Sequence, residues 1–231
     1  MKDNEICKRL KGGLIVSCQA LESEPLHSSF IMGRMALAAK EGGAAGIRAN
    51  TPRDIEEIKK TVDLPVIGLL KEEYPDSEVY ITPTMKEIDA LLSVKPDIIA
   101  LDATNRTRPC GTKLEELVAA IKMKYPDQLL MADCSCFEDG VRAERLGFHF
   151  IGTTLSGYTA ATKNRTLPDF PLIRQLVQEL KVPVIAEGGI WTPEDLRQAM
   201  ESGAFAAVIG TAITRPREIT GRFVKAISSL K

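Results

Sequence analysis

The stretch PVIAEGGIWTPEDLRQAMESGAFAAVIGT, residues 183–211, holds a complete strand–helix–strand unit. Two continuously apolar runs, Pro183–Ala186 and Ala206–Ile209, lie in it, and such runs are typical of parallel strands buried on both faces. Thr192 stands before a proline as the N-cap of the helix between them, and Gly203 follows that helix as its C-terminal stop. The stretch therefore predicts one βα unit of a parallel sheet.

The same unit recurs along the chain. Eight units in 231 residues average about 29 residues each, the size of one βα unit in a closed barrel. We therefore predict a single (β/α)8 barrel domain over residues 1–231. An open doubly wound sheet is the alternative, but QALE, residues 19–22, follows the first strand in place of a glycine-rich dinucleotide turn. The other predicted strands are Leu14–Cys18, Ala45–Arg48, Pro65–Leu70, Ile98–Asp102, Leu129–Asp133 and Phe150–Thr154. The predicted helices include Thr84–Leu92, Lys113–Lys124, Asp139–Leu146, Asp169–Leu180 and Pro193–Ser202.

Composition narrows the class of protein. The 30 basic residues nearly cancel the 31 acidic ones, which argues against a nucleic-acid partner. No apolar stretch is long enough for a membrane helix, and charges run through Met1–Lys11, so we expect a cytoplasmic protein without a membrane partner. Cys134 and Cys136 are poorly spaced for zinc, and we expect no metal site.

Polar residues end the apolar runs, and in such a barrel catalytic groups gather at the C-terminal ends of the strands. Lys71 is the sharpest candidate, because burial would lower its pKa and free the amine as a base or nucleophile. Together with Glu187, it is suited to proton transfer beside a carbonyl or, alternatively, to Schiff-base chemistry. The strand-end residues are Gln19, Arg48, Lys71, Asp102, Asp133, Thr153 with Thr154, Glu187 and Thr211.

Glycines mark the two last strand ends. Gly188 and Gly189 follow the seventh strand, and Gly210 and Thr211 follow the eighth, where many TIM barrels bind a phosphate through backbone amides. Arg215 lies just beyond Thr211 and adds a guanidinium group that can donate two hydrogen bonds to a phosphate. These positions predict a TIM barrel of the phosphate-binding type.

The longest break, Glu72–Pro83, follows the third strand, and a loop of that length is more often functional than idle. We place it over the catalytic face as the candidate lid. If Glu72 and Glu73 face Lys71, they would raise its pKa.

From about Gly13 onward, the sequence resembles the N-acetylmannosamine-6-phosphate 2-epimerase family. The segments that carry this resemblance are PLHSSF (25–30), GIRAN (46–50), YPDS (74–77), VYITPT (79–84), IALDAT (99–104), IGTTLSGY (151–158) and AEGGI (186–190).

The resemblance implies an isomerase of sialic acid catabolism that converts N-acetylmannosamine 6-phosphate and N-acetylglucosamine 6-phosphate into each other at C2. It implies a sugar-phosphate ligand, no metal or organic cofactor, and a homodimer. Lys71 would act at C2 with help from Glu187. Two alternatives stay open, a Schiff-base aldolase using Lys71 and a non-catalytic sugar-phosphate sensor.

The resemblance also assigns the binding residues. Gln19, Arg48 and Asp133 would contact the sugar or its N-acetyl group, and we add Thr153 from its place at a strand end. The amides near Gly189, Gly210 and Thr211, with Gly188 and Arg215, would hold the 6-phosphate.

Overall fold

Eight short parallel strands form the sheet of this computed structural model, which describes residues 2–228. They pair in sequence order, and β8 pairs with β1 through Ala207 and Leu14, so the sheet closes into a barrel. The predicted (β/α)8 barrel is confirmed, and the open sheet is excluded. Met1 and residues 229–231, which the single-domain prediction included, lie outside the described residues. The strands are β1 Leu14–Cys18, β2 Gly46–Asn50, β3 Val66–Leu69, β4 Ile98–Asp102, β5 Leu129–Asp133, β6 Phe150–Gly152, β7 Val184–Glu187 and β8 Ala206–Ile209.

The predicted helix starts at Thr84 and Asp169 are confirmed, whereas the helix predicted from Asp139 begins two residues earlier, at Phe137. Thr84 and Glu87 form a capping box, and the Asp169 side chain accepts a hydrogen bond from the Leu172 amide at the start of its helix. The helices of the described chain are α1 Lys2–Leu10, α2 Ser29–Glu41, α3 Pro52–Thr61, α4 Met85–Leu92, α5 Leu114–Lys124, α6 Phe137–Arg145, α7 Phe170–Glu179, α8 Pro193–Glu201, α9 Thr211–Thr214 and α10 Pro216–Ser228.

Two strands end two residues away from their predicted ends, and both differences matter at the C-terminal rim; β3 and β7 end within one residue of theirs. β2 runs on to Asn50, where it pairs with Leu69 of β3, two residues past the predicted end at Arg48. β6 stops at Gly152, two residues before the predicted Thr154. These shifts place Asn50 on a strand and release the two threonines to the rim.

The barrel interior is apolar up to the level of the rim. Side chains alternate along each strand, and one set packs inside the barrel while the other packs beneath the helices. Ile6 and Leu10 of α1 join the interior cluster and close the N-terminal end of the barrel. The interior set includes Ile15, Ile67, Leu69, Ile98, Met131, Phe150, Ile185 and Val208.

The last helix is the exception to this packing. None of residues 216–228 of α10 is buried, and the apolar side chains of Phe223, Val224 and Ile227 are 73%, 52% and 62% exposed. Large exposed apolar patches usually mark an interaction surface. α10 therefore does not cover the barrel as the other helices do.

Candidate active site

A cavity of about 320 Å³ opens at the C-terminal ends of the strands. Its size suits a small polar ligand, since ligand pockets begin at roughly 300 Å³. The structure brings most of the predicted site residues together around it. Those that line it are Gln19, Arg48, Lys71, Glu187, Gly188, Gly189, Gly210, Thr211 and Arg215.

Lys71 enters this cavity directly after β3. Its amide donates to Asn50 Oδ1 at 2.9 Å, and it pairs in antiparallel fashion with Ile81, so its backbone is fixed from two sides. Burial, with Arg48 and Arg215 nearby, lowers the pKa of Lys71 to about 8. A neutral amine is therefore accessible near neutral pH.

The acidic neighbours of Lys71 in sequence turn away from it. The Glu72 carboxylate lies 3.4 Å from Lys86 Nζ, and Glu73 is exposed. The carboxylates that act to raise the pKa of Lys71 are those of Glu187 and Glu24, and they are outweighed by burial. The condition under which Glu72 and Glu73 would raise the lysine pKa, that they face Lys71, is therefore not met.

Glu187 ends β7 and faces the same cavity. Its side chain is 15% exposed. Burial, with the Asp133 carboxylate beside it, raises the pKa of Glu187 to about 7, although Arg48 acts in the opposite direction. The pKa values of the lysine and the glutamate are thus brought close together, which suits a pair that exchanges protons near pH 7.

Arg48 holds two carboxylates from below. Its Nη1 and Nη2 donate to both oxygens of Asp133 at 3.0 and 2.6 Å, and Nη1 also lies 3.0 Å from Glu187 Oε2. Burial acts to lower the pKa of Arg48, but the two carboxylates outweigh it, so the guanidinium stays charged. Asp133 is fully buried beneath the Arg48 guanidinium and is not among the residues lining the cavity. The structure thus places it as a support of Arg48 below the cavity lining, and its contact with the substrate stays a prediction.

The two threonines after β6 face different ways, and Thr154 occupies the place that we expected for Thr153. The Thr153 hydroxyl donates to the Glu187 carbonyl at 2.8 Å and accepts from the Glu187 amide at 3.0 Å, so it fixes β7 and faces away from the cavity lining. Thr154 lines the cavity instead, with its hydroxyl 2.7 Å from Asp133 Oδ1 and 3.0 Å from Glu187 Oε2. Phe150 points inward, and alternation from it predicts Thr154 as the inward residue.

Gln19 lines the cavity and carries an unpaired acceptor. Its Nε2 donates to Ser17 Oγ at 2.9 Å, whereas its buried Oε1 has no partner among the described residues. A buried acceptor without a donor is costly, and a ligand N–H or O–H would satisfy it. This geometry suits the predicted substrate contact.

The predicted phosphate residues line one side of the cavity. Gly188 and Gly189 have φ angles of 111° and 71°, which favour glycine, and a Cβ on Gly189 would lie 2.4 Å from Leu167 Cβ. Gly210 begins the short helix α9 beside them. Arg215 Nη2 lies 3.3 Å from Glu24 Oε2, which holds the guanidinium at the cavity edge.

Several aromatic residues of the site were missed because they do not end strands. Tyr80 lies on the returning arm of a hairpin over residues 71–82, in which Glu72 N donates to Tyr80 O at 3.0 Å. The predicted lid segment thus borders the cavity, and its returning arm is fixed to the barrel because Asp102 N donates to Ile81 O. Tyr158 and Trp191 line the opposite side. The alternation in VYITPT was the one available signal for Tyr80.

The described part of the chain contains neither a cluster suited to a metal ion nor a helix suited to spanning a membrane. Across residues 2–228, no group of three or more His, Cys, Asp or Glu residues is placed to hold a metal ion. In the same part of the chain, no helix has the length and apolar character to cross a membrane.

Comparisons with known proteins agree with the motifs. The family model "Putative N-acetylmannosamine-6-phosphate epimerase" matches residues 32–229. The "Putative N-acetylmannosamine-6-phosphate 2-epimerase" of Clostridium perfringens (strain ATCC 13124) is 58% identical over 214 residues, 93% of this chain and 96% of the relative. The protein of the same name from Shouchella clausii is 56% identical over 224 residues, 96% of this chain and 98% of the relative.

A solved structure agrees equally well. The N-acetylmannosamine-6-phosphate 2-epimerase from Clostridium perfringens superposes with a TM-score of 0.92 at 56% identity, over 96% of both chains. The resemblance drawn from the motifs is confirmed. This chain belongs to the N-acetylmannosamine-6-phosphate epimerase family.

Proposed function

We propose that this chain converts N-acetylmannosamine 6-phosphate and N-acetylglucosamine 6-phosphate into each other by moving a proton at C2. One observation carries the proposal: Lys71 and Glu187 face the same cavity, and the pKa values of about 8 and about 7 bring a base and an acid within reach of neutral pH. Membership of the epimerase family supports this choice of substrate.

The chemistry begins with ring opening, because the C2 proton is acidic only when C1 is an aldehyde. Glu187 gives and takes the proton that this step needs. Lys71 Nζ then removes the C2 proton, and the electron pair of the C2–H bond moves through C1 to O1. The charged Arg48 and the protonated Glu187 are placed to stabilise that oxygen. After the open-chain intermediate has turned in the cavity, the Lys71 ammonium returns a proton to the other face of C2, the electron pair moves back from O1 to form the new C2–H bond, and ring closure gives the epimer.

The phosphate anchors the substrate away from the reacting carbon. Gly188, Gly189, Gly210 and Thr211 offer a close approach to backbone amides, and Arg215 adds charge. Binding energy from this remote group positions C2 against Lys71. The unphosphorylated sugar should accordingly be a poor substrate, and equal kcat/KM for the two sugars would exclude this role of the phosphate.

The test is a proton NMR time course with N-acetylmannosamine 6-phosphate in deuterated buffer. We expect the gluco isomer to appear with deuterium at C2, and Lys71→Ala to abolish both conversion and exchange. Exchange at the wild-type rate in Lys71→Ala would remove the lysine from the mechanism. Absence of conversion and exchange in the wild type would favour the sensor or the aldolase, and borohydride trapping of Lys71 would identify the latter.

We also propose that the protein is a cytoplasmic homodimer. A charged sugar phosphate does not cross a bilayer unaided, which fits a cytoplasmic enzyme. Phe223, Val224 and Ile227 share one face of α10, and none of the helix residues 216–228 is buried in the single chain. A second copy that covers this face would remove the exposed apolar patch from water.

A further inference from the structure

The Thr154 hydroxyl lies between two carboxyl groups. It is 2.7 Å from Asp133 Oδ1 and 3.0 Å from Glu187 Oε2, both within hydrogen-bond distance. A hydroxyl carries one proton and can donate to only one acceptor at a time. If both carboxyl groups were ionised, one short contact would bring lone pairs together in a largely buried site. The geometry therefore favours a proton on one of the two acids.

The contacts of Asp133 identify it as the ionised partner. Both of its oxygens accept from Arg48, at 3.0 and 2.6 Å, and its side chain is fully buried. A bidentate guanidinium contact favours the carboxylate form. Glu187 has a single contact to Arg48, at 3.0 Å, through the same nitrogen that serves Asp133.

The groups around Glu187 act in both directions: the charges of Arg48 and Lys71, and the Thr154 hydroxyl where it donates, lower the pKa of Glu187, whereas burial and the Asp133 charge raise it and prevail. Arg48 faces Glu187 from β2, Lys71 from the end of β3, Asp133 from β5 and Thr154 from the end of β6. Two carboxyl groups that share one guanidinium do not both ionise readily in a buried site. Burial and the Asp133 charge raise the pKa of Glu187 to about 7, which agrees with the contacts.

We propose that Thr154 is a positioning residue that favours the reacting proton on Glu187, because its hydroxyl donates to Asp133 and accepts from the Glu187 carboxyl group. This inference rests on the proposed function and deepens it. The form with the proton on Glu187 and a neutral Lys71 amine has the same total charge as the form with the proton on Lys71, and the pKa values of about 7 and about 8 make it the minor one. By raising the proton affinity of Glu187, Thr154 increases the share of this form, which ring opening and C2 deprotonation require.

The test measures protonation directly, in the substrate-free protein. Carbon-13 NMR of carboxyl-labelled glutamate and aspartate is recorded across pH, and the Glu187 signal is assigned by its loss in Glu187→Gln. In the wild type we expect one glutamate to titrate near pH 7 while Asp133 stays ionised. In Thr154→Val the proton loses its acceptor, so we expect the proton affinity of Glu187 to fall about tenfold, the effect of one ordinary hydrogen bond. Thr154→Ser should retain the wild-type value.

The reverse hydrogen-bond direction predicts the reverse change in the proton affinity of Glu187. If Thr154 donates to an ionised Glu187, Thr154→Val removes that donor and raises the proton affinity, which would overturn the proposal. An unchanged value would also overturn it. The wild-type titration decides even if the valine variant does not fold, since protonation of Asp133 in place of Glu187 contradicts the assignment.

These titrations need no turnover. A loss of the proposed function would appear in the conversion assay, whereas an error in the Thr154 assignment would appear only in the carboxyl titration.

Discussion

Lys71 and Glu187 reach one cavity from strands on opposite sides of the barrel. Lys71 follows β3 and Glu187 ends β7, and these strands are four places apart in either direction around an eight-stranded ring. A substrate between them is therefore held with a nitrogen base on one side and a carboxyl group on the other. The protonation states of Lys71 and Glu187 together should therefore control kcat/KM.

The first prediction is a bell-shaped pH profile. The pKa of Lys71 is lowered to about 8, and that of Glu187 is raised to about 7. Below about pH 7 both groups carry a proton and the base is lost; above about pH 8 neither does and the acid is lost. We expect kcat/KM to peak between these values and to fall about tenfold per pH unit on either side. Initial rates across pH check this, and Glu187→Gln should remove one limb. A profile flat from pH 6 to 9 would contradict it.

The second prediction concerns the buried ion pair between Arg48 and Asp133. Arg48→Met leaves the Asp133 carboxylate, which is 0% exposed, without its counter-charge. Breaking a buried ion pair on one side costs about 3–5 kcal/mol, so the free energy of unfolding should fall by that order. The double variant Arg48→Met with Asp133→Leu should recover much of this loss, because no uncompensated buried charge remains. Urea denaturation measures both, and additive losses in the double variant would refute the coupling.

The third prediction concerns the glycine turn after β7. Gly189→Ala places a Cβ 2.4 Å from Leu167 Cβ at a φ of 71°, so the turn must shift. We expect a loss of stability of about 1–3 kcal/mol and a higher KM for the phosphorylated sugar. Gly221→Ala is the matched control, because Gly221 lies in α10 with open space around its Cβ position. It should stabilise the protein by up to about 1 kcal/mol and leave KM unchanged. Thermal unfolding and steady-state kinetics distinguish the two, and equal effects would argue against a special role for the turn.

The fourth prediction concerns assembly. Phe223→Glu places a charge in the apolar face of α10, where Phe223 is 73% exposed in the single chain. If a second copy covers this face, the variant should sediment as a monomer while the wild type sediments as a dimer. Met123→Glu is the control, since Met123 is 85% exposed on α5. A wild-type monomer, or a dimer insensitive to Phe223→Glu, would rule out this interface.

Much of this architecture was readable from the chain. The eight apolar runs predicted the strands, and the polar residue after each run predicted Lys71, Glu187 and Arg48 at one rim. Thr153 was chosen over Thr154 from its place at the strand end, although alternation from the inward Phe150 favours Thr154; β6 ends at Gly152, so both threonines lie beyond the strand.

Other features depend on tertiary contacts that no local pattern records. Tyr80 reaches the cavity only because residues 71–82 fold back as a hairpin against the barrel. The amphipathic pattern of α10 is the same as that of a helix packed on its own sheet, so its exposed apolar face could not be foreseen.

Closure of the N-terminal end of the barrel by α1 has a kinetic consequence. Ile6 and Leu10 pack into the interior with Ile15 and Phe150, so the barrel is closed at its N-terminal end and the cavity opens at the C-terminal end. A sugar phosphate must leave through the entrance by which its epimer arrived. The two sugars share every group except the configuration at C2, so each competes with the other for the empty site. Net flux in either direction then falls as product accumulates, and the enzyme depends on whatever removes that product from solution.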